Sequence, residues 1–170
     1  MKQLFGLLFI TLFSLSAFSS AKTNDSINPP KAFDFWVGKW KASWHTNDSV
    51  VVVGSNTVTK ILDDIVIQEN FFDPSTNFKG TSISVYNLAD KSWHQAWADN
   101  SGAYINLIGQ LQGQKRIFKT AAHMVKGKTI IQRMVFYNIT ENNFSWDWES
   151  SDDAGVTWKL GWRIFYERIN

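Results

Sequence analysis

From Lys39 onward the chain alternates apolar and polar positions with a period of two, and no segment keeps an apolar period near 3.6. That alternation is the signature of strands with one buried face. Apolar and aromatic runs are separated by turn signals about every 8–12 residues, the spacing of a sandwich or a barrel. The pattern predicts strands over residues 39–46, 49–60, 65–72, 80–88, 92–98, 103–110, 114–123, 129–139, 144–150 and 156–168. Asn47-Asp48, Asp63-Asp64, the loop around Pro74, Ala89-Asp90-Lys91, residues 99–102, Asn142-Asn143 and residues 152–155 supply the turns. Gly54 reads as a bulge within its strand. The only helical segment is a short one over residues 31–37, just after Pro29 and Pro30. Strands joined by short loops pair with their neighbours, and about ten of them left open would expose two edges. The expectation is therefore all-β: a single antiparallel up-and-down β-barrel of about ten strands with a short N-terminal helix.

The first residues follow a different pattern. Lys2 is a short basic start, residues 4–15 are an apolar run, and small residues lead to Ser19 and Ala21. Basic, apolar and small segments in that order make a secretory signal peptide. The run is too short to span a hydrocarbon core, which takes about 20 residues. Cleavage is expected after Ala21, residues 22–31 read as a flexible leader, and residues 32–170 as one domain. The mature chain is thus expected in the periplasm or secreted, with no stable membrane anchor.

Charge and cysteine narrow the field. The chain carries 17 Lys and Arg against 15 Asp and Glu, and removing residues 1–21 takes away one Lys and no acid, leaving 16 against 15. Without a clustered basic run, nucleic acid is not an expected partner. The densest basic group, Lys115, Arg116 and Lys119, reads as a solvated strand or turn. There is no Cys, so thiolate chemistry, iron–sulfur clusters and Cys-bound zinc are out of reach, and the fold has no disulfide. His45, His94 and His123 are far apart without ligand-like spacing. His45 and His94 alternate with neighbouring Trp and should point outward. His123 is the one residue that could ligate haem within a barrel. No Ser sits in a Gly-x-Ser-x-Gly turn. Asp147 and Glu149 share a strand face about 7 Å apart, as any i, i+2 pair does. No cofactor or metal is expected, and no residue is nominated as catalytic.

The informative signal is aromatic. The nine Trp are Trp36, Trp40, Trp44, Trp93, Trp97, Trp146, Trp148, Trp158 and Trp162. Strand parity puts Trp93, Gln95 and Trp97 on one face, Phe144, Trp146 and Trp148 on another, and Trp158, Leu160, Trp162, Ile164 and Tyr166 on a third. Large aromatics can simply fill a barrel core, line a ligand cavity, or form an exposed sugar-stacking strip. Glu69 shares a face with Ile65, Ile67 and Phe71, and Arg133 with Ile131, Val135 and Tyr137. A buried charge needs a partner, so Glu69 and Arg133 could meet across the interior, as a structural ion pair or as polar anchors in a cavity. The candidate ligand-binding set is Glu69, Trp93, Gln95, Trp97, Arg133, Trp146 and Trp148. Residues 151–158 fit S-x-D-x-G-x-T-W; a single copy is a hairpin device and not a propeller repeat.

Several blocks occur in an order that resembles the family named domain of unknown function 1579. They are Phe33-Asp34-Phe35-Trp36-Val37-Gly38-Lys39-Trp40, Glu69-Asn70, Gly80-Thr81-Ser82, Val85-Tyr86-Asn87, residues 93–102 from Trp93-His94-Gln95 through Asn100-Ser101-Gly102, and Ser151 to Trp158. The resemblance covers about residues 33–168. It implies a calycin-like, lipocalin-style barrel, whose relatives bind small apolar ligands, and it implies no activity. The block Val37-Gly38-Lys39-Trp40-Lys41-Ala42 lacks the Gly-x-Trp-x-Gly-x-Gly pattern of haem-binding relatives. The resulting expectation is an exported protein that binds a small apolar or aromatic molecule. The alternatives are an enzyme using Glu69 on a small molecule in the same cavity, and an accessory protein whose barrel is solid.

Overall fold

The computed structural model describes residues 27–46 and 50–169. The expected signal peptide, the first part of the leader and the Asn47-Asp48 turn lie outside the described residues. Two 3₁₀ turns, Pro29–Lys31 and Asp34–Trp36, stand where one short helix was expected. Pro29 and Pro30 occupy the first positions, where a backbone N–H would have no partner in any case, and the turns close with i→i+3 bonds such as Ala32 N to Pro29 O, 3.2 Å.

The strands are β1 (Gly38–His45), β2 (Val51–Ile61), β3 (Val66–Asp73), β4 (Phe78–Asn87), β5 (Ser92–Asp99), β6 (Tyr104–Gln112), β7 (Lys115–Lys119), β8 (His123–Val125), β9 (Lys128–Tyr137), β10 (Asn143–Ser151) and β11 (Lys159–Arg168). Neighbours pair antiparallel from β1 through β7, β7 pairs with β9, β9 with β10, β10 with β11, and β11 returns to β1. Ten strands thus close a barrel without free edges, and β8 pairs only with β9. The strand expected over 114–123 is broken at 120–122. There the Thr120 hydroxyl accepts the Gln132 N–H at 2.9 Å, and pairing along β9 slips by one residue between Lys119↔Arg133 and His123↔Ile130.

Two further expectations are corrected. Gly54 is not a bulge: β1 and β2 stay in register through Ala42↔Gly54. A Cβ at Gly54 would press on the Phe72 carbonyl and the Trp44 indole, so its role is close approach. The bulge lies on β11, where Trp148↔Trp162 is followed by Glu149↔Leu160 and Gly161 is left over. One extra residue reverses parity, so Leu160 and Trp158 fall on the outer face while Trp162, Ile164 and Tyr166 point inward.

Connections alternate between the two ends. The chain that precedes β1 folds under the end formed by the β2–β3, β4–β5, β6–β7 and β9–β10 turns. Phe33 and Trp36 enter the barrel there and are almost fully buried. Phe33 stacks on Phe118 with centroids 4.4 Å apart and meets Trp93 and Phe136 edge-on. Two arginines at the rim hold this plug by its carbonyls. Arg116 Nε donates to Ala32 O at 3.0 Å, and Arg168 donates to Val37 O and Phe35 O at 2.9 and 3.1 Å while lying 4.1 Å from the Trp40 ring centroid. Trp93 Nε1 adds a bond to Pro29 O at 2.7 Å. The basic group read as a solvated turn therefore contributes Arg116 to a structural clamp.

Candidate functional site

Above the plug the barrel interior changes character. Four consecutive strands each turn polar side chains inward at mid-height: Asn56 on β2, Glu69 on β3, Ser82 and Ser84 on β4, and Gln95 on β5, all buried. Registers Glu69↔Ser82 and Ser84↔Gln95 bring them to one level. Glu69 Oε1 accepts from Asn56 Nδ2 at 2.7 Å and Oε2 from the Ser82 hydroxyl at 2.8 Å. Gln95 Nε2 donates to the Ser82 and Ser84 hydroxyls at 3.2 and 3.1 Å. Burial pushes the Glu69 carboxyl up to about 7 against those two hydrogen bonds. Tyr166 on β11 is the titratable neighbour. Burial, and then the charge of Glu69, keep its phenol protonated well above the usual range. Its ring stacks on Phe144 at 4.4 Å. Among the described residues, Asn56 Oδ1 and Gln95 Oε1 find no donor, so the layer has acceptors to spare.

Glu69 and Tyr166 are the members of this layer that border a cavity of about 270 Å³ toward the other end of the barrel. Its wall is aromatic: Phe71, Phe78, Trp97, Trp146, Trp148 and Trp162, with Ile105, Met134 and Ile164 between them. Trp146 and Trp148 lie nearly parallel, 6.4 Å apart at 11°, and Trp162 stands at 89° to Trp146 at 5.9 Å. Gly80 allows this arrangement, because a Cβ there would overlap the Trp97 indole. Trp97 lies flat against the wall and donates from Nε1 to Asp99 Oδ2 at 3.0 Å. Asp99 also lines the cavity, as does Gln132. Partial burial would raise the Asp99 carboxyl, but bonds from the Ser101 hydroxyl, Trp97 and the backbone N–H groups of Ala103 and Ser101 outweigh it and hold it below the usual range.

The mouth is built from hairpins whose turns are fixed by their own side chains. Asp73 accepts from Ser75 N and Oγ at 2.8 and 2.7 Å and from Thr76 Oγ1 at 2.7 Å. Asn100 ties the β5–β6 turn to the β3–β4 turn through Asn77 O at 2.9 Å and Lys79 N at 3.0 Å. In the S-x-D-x-G-x-T-W turn, the Ser151 hydroxyl accepts from Gly155 N at 2.8 Å and Asp153 accepts from Thr157 N at 2.9 Å. Trp158 Nε1 donates back to Gly155 O at 3.1 Å. These side chains satisfy the turn backbone and leave the mouth preformed.

Of the seven residues nominated from sequence, Glu69, Trp97, Trp146 and Trp148 line the cavity. Trp93 on β5 points inward but packs against the plug at the closed end, and Gln95 lies in the polar layer behind Glu69. Arg133 is misplaced by the sequence reading: it stands on the outer face, 2.6 Å from Glu149 and 3.8 Å from the Trp158 ring centroid. β9 is apolar on both faces, with Ile131 and Val135 outside and Met134 and Phe136 inside, so alternation alone cannot tell which face is the interior. The Asp147/Glu149 pair is also external, each carboxylate taken by an arginine; Arg163 meets Asp147 at 2.7 Å. His123 is exposed on β8. His45 is exposed as well, and His94 pairs with Asp90 at 2.6 Å outside the barrel.

The sequence reading missed Tyr166, Trp162, Phe71, Phe78 and Asp99 as cavity residues, and Asn56 and Ser82 as partners of Glu69. Parity was available for Tyr166, Trp162, Phe71, Asn56 and Ser82, but Phe78 and Asp99 fell in segments read as a loop and a turn and belong to β4 and β5. What was lacking was the height of each inward residue along the barrel, which depends on hairpin registers. Among the described residues no group of His, Cys, Asp and Glu is arranged to hold a metal ion. The chain matches no protein-family model and no curated protein.

Proposed function

We propose that this barrel is a binding protein for a small, partly apolar molecule, held between Trp97, Trp146, Trp148 and Trp162 with Glu69 as the polar group at the floor. The observation that carries this reading is the 270 Å³ aromatic cavity ending on a buried carboxyl. Small-molecule sites combine apolar walls with a few placed polar groups that orient the ligand. A solid barrel would serve an accessory role equally well, and the hollow upper half counts against it. The resemblance to the domain of unknown function 1579 family and the expected export signal extend the proposal to a ligand met outside the cytoplasm.

Native mass spectrometry of the chain purified gently from an exporting host tests both parts. The expected spectrum shows a polypeptide beginning at Lys22 with an added small mass that is lost on denaturation. A full-length chain would overturn the export reading, and a chain that takes up no small molecule from any source would overturn the binding one.

A second reading, acid–base catalysis by Glu69, is favoured by its position on the cavity with a pKa of about 7. It predicts a bound molecule that differs chemically between the parent protein and Glu69→Gln.

A further inference from the structure

The cavity has a consistent sign. Its wall carries two carboxyl groups, Glu69 and Asp99, and no Lys, Arg or His. The four arginines are all engaged elsewhere: Arg133 and Arg163 in ion pairs on the outer face, Arg116 and Arg168 on the plug carbonyls at the closed end. The same wall carries three indoles, Trp146 and Trp148 nearly parallel and Trp162 perpendicular to Trp146, and the π-face of an indole attracts positive charge.

Resting on the binding reading above, we infer that the occupant is a small organic cation, an ammonium carried on an apolar or aromatic body. The body lies among Trp146, Trp148 and Trp162. The ammonium, a donor without acceptors, sits against Glu69, which keeps lone pairs beyond those used by Asn56 and Ser82. Burial alone makes an ionised Glu69 costly, and a cation at contact distance offsets that cost. An anion meets Asp99, which its turn keeps ionised, and then a second carboxylate.

Binding is coupled to a proton. The groups that face Glu69 are Asn56 from β2, Ser82 from β4 and Tyr166 from β11, and of these Tyr166 alone titrates, far above neutrality. Asp99 stays ionised through the neutral range. Between pH 6 and pH 8 Glu69 is therefore the group that changes state, and the ionised fraction of a carboxyl titrating at about 7 rises about tenfold over that range. An ammonium of higher pKa stays charged throughout.

The test uses the full chain and three probes of nearly equal shape: 2-phenylethylammonium, 2-phenylethanol and 3-phenylpropionate. Affinities are measured by calorimetry and by indole fluorescence. The ammonium is expected to bind at least tenfold more tightly than the alcohol at pH 8, to lose about tenfold at pH 6, and to fall to the alcohol's affinity in Glu69→Gln. The carboxylate is expected not to bind. Alcohol binding that equals or exceeds ammonium binding in the parent protein would overturn the cation inference and leave the binding reading standing. That arm does not depend on the variant's folding. Failure of all three probes to bind would overturn the cation inference, and the native mass spectrum then decides the binding reading separately.

Discussion

At its closed end the barrel packs Phe33 and Trp36 from the preceding chain against Trp93, Phe118, Phe136 and Phe144; at its open end Trp97, Trp146, Trp148 and Trp162 surround a cavity of about 270 Å³. Both halves draw inward residues from the same strands, at alternate positions, and both are aromatic. They differ in a short segment before β1 that fills one half, and in a polar layer that separates the halves. Aromatic content therefore says that a barrel of ten strands has large side chains inside, and it does not say whether they fill the space. In this chain the plug decides it.

The comparison can be broken first at the plug. Phe33 is fully buried and touches four other aromatic rings. Phe33→Ala should lower stability by about 3–5 kcal/mol, read as a fall in the urea midpoint. Trp148→Ala at the open end removes a larger ring that already borders space, and its cost should be less than half as great. Equal losses would mean that the two halves are packed alike.

The polar layer gives the next effect. An unfolded Glu titrates near 4.5 and the folded Glu69 near 7. The folded state holds its proton more tightly, so this group's contribution is complete below pH 4.5 and is lost as pH rises through 7. The loss should be roughly 3 kcal/mol. Glu69→Gln should flatten that pH dependence and be more stable than the parent at pH 8. An unchanged slope in the variant would place the titration elsewhere.

Arg168 sharpens the closed end. It clamps Phe35 O and Val37 O and covers the Trp40 ring. Arg168→Ala should cost about 1.5–3 kcal/mol, with faster hydrogen exchange confined to the plug and the start of β1. Exchange that rose equally at the mouth would contradict a local clamp. The smallest effect on stability belongs to Gly80. Gly80→Ala should gain up to about 1 kcal/mol in strand preference and lose about 1–3 kcal/mol to the overlap of the new Cβ with the Trp97 indole, a net cost of about 1 kcal/mol. It pushes the Trp97 indole off the wall, so probe affinity in the cavity should fall severalfold. Unchanged affinity would remove Trp97 from the site.

These contrasts also mark how far the sequence could be read. The closed barrel followed from turn spacing and edge avoidance, and the inward parity of Trp40, Glu69, Trp97, Trp146 and Trp148 from a period of two. Parity failed where its premise failed. The bulge at Gly161 turned Trp158 and Leu160 outward, and β9, apolar on both faces, hid that Arg133 is external. Interior height was not legible at all, because whether Trp93 and Trp97 share a compartment depends on a plug whose docking is a long-range event. The partnership of Glu69 with Asn56 and Ser82 likewise needed registers across three strands.

The nine indoles give the most direct test of a filled half beneath a binding half. Their Nε1–H resonances can be followed by ¹⁵N NMR while the protein is titrated with 2-phenylethylammonium, and separately with 2-phenylethanol as its neutral counterpart. Saturable shifts are predicted for Trp97, Trp146, Trp148 and Trp162, with Trp36, Trp40 and Trp93 unmoved. Shifts confined to the external Trp158, or spread evenly over plug and cavity indoles, would contradict an open end built to hold a ligand.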